Sequence, residues 1–157
     1  MPTEIERKFL VKGDGWRSHG PGTLYCQGYI VAEPGKTVRV RIVGEQGFLT
    51  IKGPTQGIAR AEFEYSIPGA EARDLLHTLC DRPWIEKTRY RIPHGEFVWE
   101  VDEFAGDNAG LIVAEVELQD DQQILDLPEW IGPEVSHDPR YFNANLAKLP
   151  YSQWSPR

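Results

Sequence analysis

Lys36-Thr37-Val38-Arg39-Val40-Arg41-Ile42-Val43 alternates apolar and cationic side chains with a period of two, between the turn signals Glu33-Pro34-Gly35 and Gly44-Glu45-Gln46-Gly47. A strand sorts such a segment into one apolar and one charged face, because successive side chains point to opposite sides of the sheet. Val38, Val40 and Ile42 then share one face, and Arg39 and Arg41 the other. The same reading carries outward in both directions. Alternating segments near residues 2 to 11, 24 to 33, 47 to 53, 58 to 67, 84 to 93, 96 to 104 and 110 to 119 lie between further turns rich in Gly and Pro. With residues 36 to 43 they predict eight strands, mostly joined as antiparallel hairpins.

Sorting every segment by parity repeats the result. Glu4, Glu6 and Lys8 share a face, as do Thr50 and Lys52, Glu62 and Glu64, Lys87, Arg89 and Arg91, Glu100 and Asp102, and Glu115 and Glu117. The opposite faces carry Ile5 and Phe9, Leu49 and Ile51, Phe63 and Tyr65, Trp99 and Val101, and Val116 and Leu118. One Glu-x-Glu or Arg-x-Arg pair is ordinary decoration of a wet sheet face and carries little energy. Repetition on nearly every strand is different. If the sheet closes into a barrel, these groups line its lumen. Ionised groups so confined are costly unless cations neutralise the carboxylates and anions neutralise the Arg and Lys side chains. The pattern therefore asks for a bound metal and a polyanion, and such a lumen excludes an apolar-ligand barrel of the lipocalin kind.

At 157 residues, with 15 Gly, 12 Pro and 40% hydrophobic residues, the chain reads as one turn-rich domain over residues 1 to 150, followed by a tail, 151 to 157, that frays. A formal charge of −7 argues against a nucleic-acid partner. The start, Met1-Pro2-Thr3-Glu4, has no apolar leader core, and no apolar run nears the ~20 residues that span a bilayer. A cytoplasmic protein with no membrane partner is expected. Cys26 and Cys80 lack metal-ligand spacing and read as reduced, buried thiols, and His19, His77, His94 and His137 show no ligand spacing either. The loop at Gly13 to Gly15 is no P-loop, because the Lys-Ser/Thr ending is absent. Helices are predicted at 71 to 80, where Ala72, Leu75, Leu76 and Leu79 form a stripe, at 120 to 125, and from the cap Asp138-Pro139 to about 148. The Trp residues are expected to build the core beneath them.

Glu4-Ile5-Glu6-Arg7-Lys8-Phe9-Leu10 matches the N-terminal Glu-x-Glu-x-Lys signature of the CYTH superfamily, the triphosphate tunnel metalloenzymes. Val38-Arg39-Val40-Arg41, Thr50-Ile51-Lys52, Glu62-Phe63-Glu64, Glu86-Lys87-Thr88-Arg89-Tyr90 and Ala114-Glu115-Val116-Glu117 follow in the order that family shows. The chain thus resembles the short bacterial members over nearly its whole length. The resemblance implies a mainly β (α+β) fold, an eight-stranded antiparallel closed β-barrel forming a tunnel with a few covering helices. It implies that Lys8, Arg39, Arg41, Lys52, Lys87 and Arg89 bind phosphate oxygens, Arg through its planar fork and Lys as a movable point charge. Lys8 and Lys87 are implied as catalytic, together with Tyr29, which would stand beside the tunnel lysine. Glu4, Glu6, Asp102, Glu115 and Glu117 are implied as carboxylates for Mg²⁺ or Mn²⁺, supported by Glu62, Glu64 and Glu100. Phe142 stands where some relatives carry a basic residue, and Arg91, at a strand end, reads as an external ion pair.

The activity so implied is metal-dependent hydrolysis of inorganic triphosphate to pyrophosphate and phosphate. The metal would bridge phosphate oxygens and help position water, and the basic cage would stabilise the charge of the transition state. Thiamine triphosphatase, nucleoside triphosphatase and a non-catalytic module binding triphosphate or polyphosphate remain as alternatives. A pure anion binder, however, loses affinity to every acidic pair it keeps. A class IV adenylate cyclase would carry a His-Phe motif ahead of the acidic signature, where only Met1-Pro2-Thr3 stands. The expected partner is a triphosphate-bearing small molecule, and the protein a monomer or homodimer.

Overall fold

The computed structural model describes residues 1–154. Its strands are β1 (Thr3–Val11), β2 (Thr23–Glu33), β3 (Lys36–Val43), β4 (Gln46–Lys52), β5 (Ala59–Pro68), β6 (Ile85–His94), β7 (Phe97–Phe104), β8 (Ile112–Glu117) and β9 (Ile131–Glu134), with helices α1 (Gly69–Leu79) and α2 (Asn143–Lys148). The first eight agree with the periodicity to within two residues at each end. They hydrogen-bond in the order β5-β4-β3-β2-β6-β7-β8-β1, and a further β1–β5 pairing closes the ring. That seam is antiparallel, with Thr3 opposite Ala61, Glu4 opposite Arg60 and Ile5 opposite Ala59. Going round the ring, β5 stands across the lumen from β6, β3 from β8, β4 from β7, and β1 from β2. Closure removes the free edges that an open antiparallel sheet would expose.

β9 was not foreseen from periodicity, because Ile131-Gly132-Pro133-Glu134 holds the two residues least compatible with a strand interior. It pairs with the second half of β1, Phe9 opposite Glu134 and Val11 opposite Ile131, beyond the residues that β5 occupies.

The apolar faces point outward and are covered from three sides. Phe9, Trp99, Val101, Val116 and Leu118 pack with Trp16 and Trp130. Trp99 stands edge-on to Phe9 and Trp130, with ring centroids 5.5 and 5.9 Å away, a geometry that aligns ring edge with ring face. α1 lays Ala72 and Leu76 over Val40. It comes so close to β4 at Gly47 that a Cβ there would stand 2.6 Å from the Ala72 Cβ. A third cluster joins Ile85, Phe104, Leu111 and Val113 to Tyr141 and Leu146.

Two helix expectations are corrected. Residues 120 to 122 form a turn and 123 to 125 an irregular stretch: the Asp120 carboxylate accepts from the Gln122 amide at 2.8 Å and the Gln123 side chain from the Gln119 amide at 2.8 Å, local bonds that compete with a helix. The main Trp cluster is covered instead by a 3₁₀ helix, Gly15–His19, that inserts the buried Trp16. The third helix is broken. Asp138 caps a 3₁₀ turn, Pro139–Tyr141, by accepting from the Arg140 amide at 3.1 Å, the chain extends at Phe142, and α2 starts afresh. Tyr141 and Leu146 both pack into the third cluster, yet five residues apart on a continuous helix they would point well away from each other. The break reconciles them. Of the tail, Tyr151 and Trp154 pack edge-on, and Trp154 also meets Tyr141 at 5.1 Å, while residues 155–157 lie outside the described residues. No helix among the described residues is long and apolar enough to cross a membrane.

The cover over the barrel wall sets a test. Trp99→Ala is expected to cost about 3–5 kcal/mol, lowering the urea midpoint with little change in slope, whereas Leu24→Ala, at a position 76% exposed, should stay within about 0.5 kcal/mol. Equal midpoints for the two variants would contradict the assignment of outer core and exposed rim.

Candidate functional site

The lumen is a cavity of about 660 Å³. The parity sorting is realised in it: Lys8, Tyr29, Arg39, Arg41, Lys52, Lys87, Arg89, Glu4, Glu6, Glu62, Glu64, Glu100, Glu115 and Glu117 all line it. Asp102 does not. Its carboxylate is 0% exposed and lies behind the lining. Both of its oxygens are engaged, Oδ2 by Lys87 Nζ at 2.7 Å and Arg89 at 2.9 Å, Oδ1 by Arg89 Nε at 2.7 Å. Arg91, with its side chain 64% exposed, pairs with Glu100 at 3.1 Å at the tunnel's end.

The cations fall into two groups. Lys8, against the pull of burial, is held well above its usual range by Glu115 and Glu6, with Nζ 2.7 Å from Glu115 and 3.2 Å from Glu6. Arg89 is likewise raised, Asp102 outweighing burial. Lys52 meets Glu4 at 3.0 Å and Glu62 at 3.3 Å, and Arg39 meets Glu64 at 3.4 Å. Arg41 and Lys87 behave otherwise. Burial, followed by Arg39 and Arg89, brings Arg41 down to about 9. Burial, with Arg89 and Arg41, brings Lys87 down to about 7 although Asp102 opposes the fall. The Asp102–Lys87 pair is thus unequal: Asp102 itself is held low against burial, by Arg89 first and Lys87 second. Two lumen cations are left under-compensated, which is the electrostatic condition for taking up an anion.

The acids show the complementary deficit. Burial, and then Glu115 and Glu4, push Glu6 up, while burial with Glu4, Glu6 and Glu100 pushes Glu117 up. Glu115 is the exception, held well below its usual range by Lys8 and Arg89 despite burial. Among the described residues no group of three His, Cys, Asp or Glu forms a ready-made metal site. Mutually repelling carboxylates short of positive charge nonetheless fit a hard divalent cation. Mg²⁺ is commonly held by one or two carboxylates, completing its shell with water and substrate phosphate. Glu6 and Glu117 are the residues of this kind, and Glu4, held by Lys52, is the neighbouring carboxylate that repels both.

Further residues in and around the lumen lie outside the sequence motifs. Arg60 shares the parity of Glu62 and Glu64 on β5, faces the lumen, and has a buried Nε with no hydrogen-bond partner. Parity alone could have found it. Tyr25 is flanked by the Arg41 and Arg89 guanidinium groups, each 4.9 Å from its ring centre. Gln27, with no exposure, accepts from Arg41 Nε at 2.8 Å, and Asn143 accepts from Lys87 Nζ at 3.0 Å. Among the described residues Tyr29 makes no hydrogen bond to a lysine: its hydroxyl accepts from Gln27 at 3.4 Å, and Gln27 in turn donates to Asn143 at 3.3 Å. Phe142 also faces the cavity.

A closed eight-strand ring lined by paired acids and bases has counterparts among known proteins. The chain is 51% identical over 154 residues to an inorganic triphosphatase of Acetivibrio thermocellus, covering 98% of this chain and 99% of that one. It is 36% identical to an inorganic triphosphatase of Nitrosomonas europaea, covering 92% and 97%. A crystal structure of an inorganic triphosphatase superposes with a TM-score of 0.65 at 33% identity, covering 94% of this chain and 95% of the other. The CYTH domain model matches residues 2–148, and with tunnel, signature and relatives in agreement, the chain belongs to the CYTH family.

Proposed function

We propose that this protein hydrolyses inorganic triphosphate to pyrophosphate and phosphate inside the tunnel with the help of a divalent cation, Mg²⁺ or Mn²⁺. The observation that carries the reading is the matched deficit in one cavity: cations short of negative charge on β3 and β6, with an unpartnered guanidinium Nε on β5, and carboxylates short of positive charge on β1 and β8. A triphosphate with its metal supplies both. Triphosphatases of the same family at 51% and 36% identity support it.

Arg39 and Arg41 on β3 and Lys87 and Arg89 on β6 would grip the phosphate oxygens, the arginines through bidentate forks. Arg60, across the ring from β6, would meet the same anion from the opposite wall. Glu4, Glu6 and Glu117 would hold the cation, and Glu115 serves to orient Lys8. Asp102 belongs with the positioning groups, since cations already occupy both its oxygens. Bound there, the cation would neutralise phosphate charge and lower the pKa of a coordinated water. The guanidinium and ammonium groups would stabilise the charge that spreads over the transferred phosphoryl group. Glu62, Glu64 and Glu100 keep Lys52, Arg39 and Arg89 aimed across the lumen.

Two outcomes check these assignments. Glu117→Gln should lower metal-dependent phosphate release from triphosphate by at least about 100-fold, while triphosphate binding in chelator, followed by calorimetry, is kept or strengthened. Undiminished turnover would remove Glu117 from the metal set, and faster release from thiamine triphosphate or ATP than from triphosphate would move the substrate assignment. The second outcome concerns Lys87, whose ammonium is brought down to about 7. An anion binds the protonated form, so above that pH binding draws a proton in, and affinity falls as pH rises. Calorimetry near pH 8 in buffers of different ionisation enthalpy should show the wild type taking up more protons than Lys87→Met, by up to about one per triphosphate. Identical uptake would contradict the lowered value.

A further inference from the structure

Arg41 on β3 and Lys87 on β6 are separated in the ring by β2, yet a continuous hydrogen-bonded chain joins them. Lys87 Nζ donates to Asn143 Oδ1 at 3.0 Å, Gln27 Nε2 donates to the same oxygen at 3.3 Å, and Arg41 Nε donates to Gln27 Oε1 at 2.8 Å. The direction of every bond is forced from the Arg41 end, because a guanidinium can only donate. Gln27 must turn its oxygen to Arg41 and therefore its nitrogen to Asn143. Asn143, facing donors from both Gln27 and Lys87, must present its oxygen. Flipping either amide would set donor against donor in a site where Gln27 has no exposure to water.

We propose that Asn143 is a positioning residue for triphosphate cleavage, its side-chain oxygen fixing the Lys87 ammonium and, through Gln27, the orientation of the Arg41 guanidinium. This rests on the reading of the tunnel as a triphosphatase site. Lys87 has a flexible four-carbon stem and three donors. Asp102 takes one at 2.7 Å and Asn143 a second, which leaves one for phosphate. Among the described residues Arg41 uses only Nε for a hydrogen bond and leans on Tyr25, which leaves its terminal nitrogens for a bidentate grip. Asn143 itself is placed by α2, which is anchored by buried Leu146 and by Lys148 donating to the Ala32 carbonyl. Docking of one short helix thus sets the aim of two cations borne on different strands.

The test is a double-mutant cycle on the full-length protein. Asn143→Leu, close in size but without the acceptor, should lower kcat on triphosphate by about 10- to 100-fold, and Asn143→Asp, which keeps the acceptor, should restore most of that loss while raising KM through its added charge. Calorimetry with chelator reads triphosphate affinity without turnover: Asn143→Leu should weaken binding about 10-fold when Lys87 is present and by a clearly smaller factor, the part carried through Gln27 and Arg41, in a Lys87→Met background. An unchanged kcat in Asn143→Leu, an Asn143→Asp variant no better than Asn143→Leu, or equal weakening in both backgrounds would overturn the proposal. If Asn143→Leu does not fold, Asn143→Ala takes its place in the same cycle. Wild-type turnover of triphosphate tests the functional reading separately, and the binding arm of the cycle is readable whether or not turnover occurs.

Discussion

Asp102 holds a negative charge out of all contact with solvent, and the way that charge is met organises the lumen. Burial opposes ionisation, but Arg89 and Lys87 overcome it, with three hydrogen bonds of 2.7 to 2.9 Å filling the carboxylate. Removing one partner of such a buried group typically costs about 3–5 kcal/mol, because it strands the other. From Asp102 the compensation passes outward. Arg89 comes within 3.8 Å of Glu115, Glu115 takes Lys8 at 2.7 Å, and Lys8 reaches Glu6 at 3.2 Å. A line of alternating charge runs from β6 to β1 along one side of the ring. What this line does not compensate in full is what the site has to offer a ligand: Arg41 and Lys87 among the cations, and Glu117 with the line's last member, Glu6, among the acids.

That arrangement depends on ring closure. The β1–β5 seam spans only Thr3 to Ile5 of β1, but it turns a wet sheet face into an enclosed cavity and sets β5 opposite β6. In an open sheet the same side chains would face bulk water, where ion pairs contribute little. Closed, they sit where water is displaced and electrostatic terms grow. The outer apolar layer, with Trp99 at one centre and α1 packed onto Gly47 at another, holds the wall rigid enough for side chains on opposite strands to keep their spacing.

The period-two alternation was enough to read eight strands and the inward face of all but β2, because burial on one side of a closed wall leaves little freedom in register. The charged residues followed from it, and Arg60 was equally legible on the face of Glu62 and Glu64. Other parts were hidden for physical reasons. β9 is formed by a Gly-Pro segment that pairs only because β1 offers it an edge. Residues 120 to 125 read as a short helix, but Asp120 and Gln123 bond the backbone locally instead. Gln27, Tyr25 and Asn143 are neutral side chains of unremarkable type, and only the folded ring brings them against Arg41 and Lys87. The role of Asp102 was also hidden: parity places it with Glu100, but depth behind the lining and its full set of donors set it apart.

The central claim is that one closed tunnel holds a triphosphate between its cationic walls and a divalent cation at its acidic pairs. A crystal structure of the protein with triphosphate and Mn²⁺, read by the anomalous signal of the metal, tests it most directly. The account predicts an anomalous peak at the carboxylates of Glu4, Glu6 or Glu117 that also touches a phosphate oxygen, with the remaining phosphates against Arg39, Arg41 and Lys87. A triphosphate bound outside the ring, or a metal peak remote from those carboxylates, would contradict it.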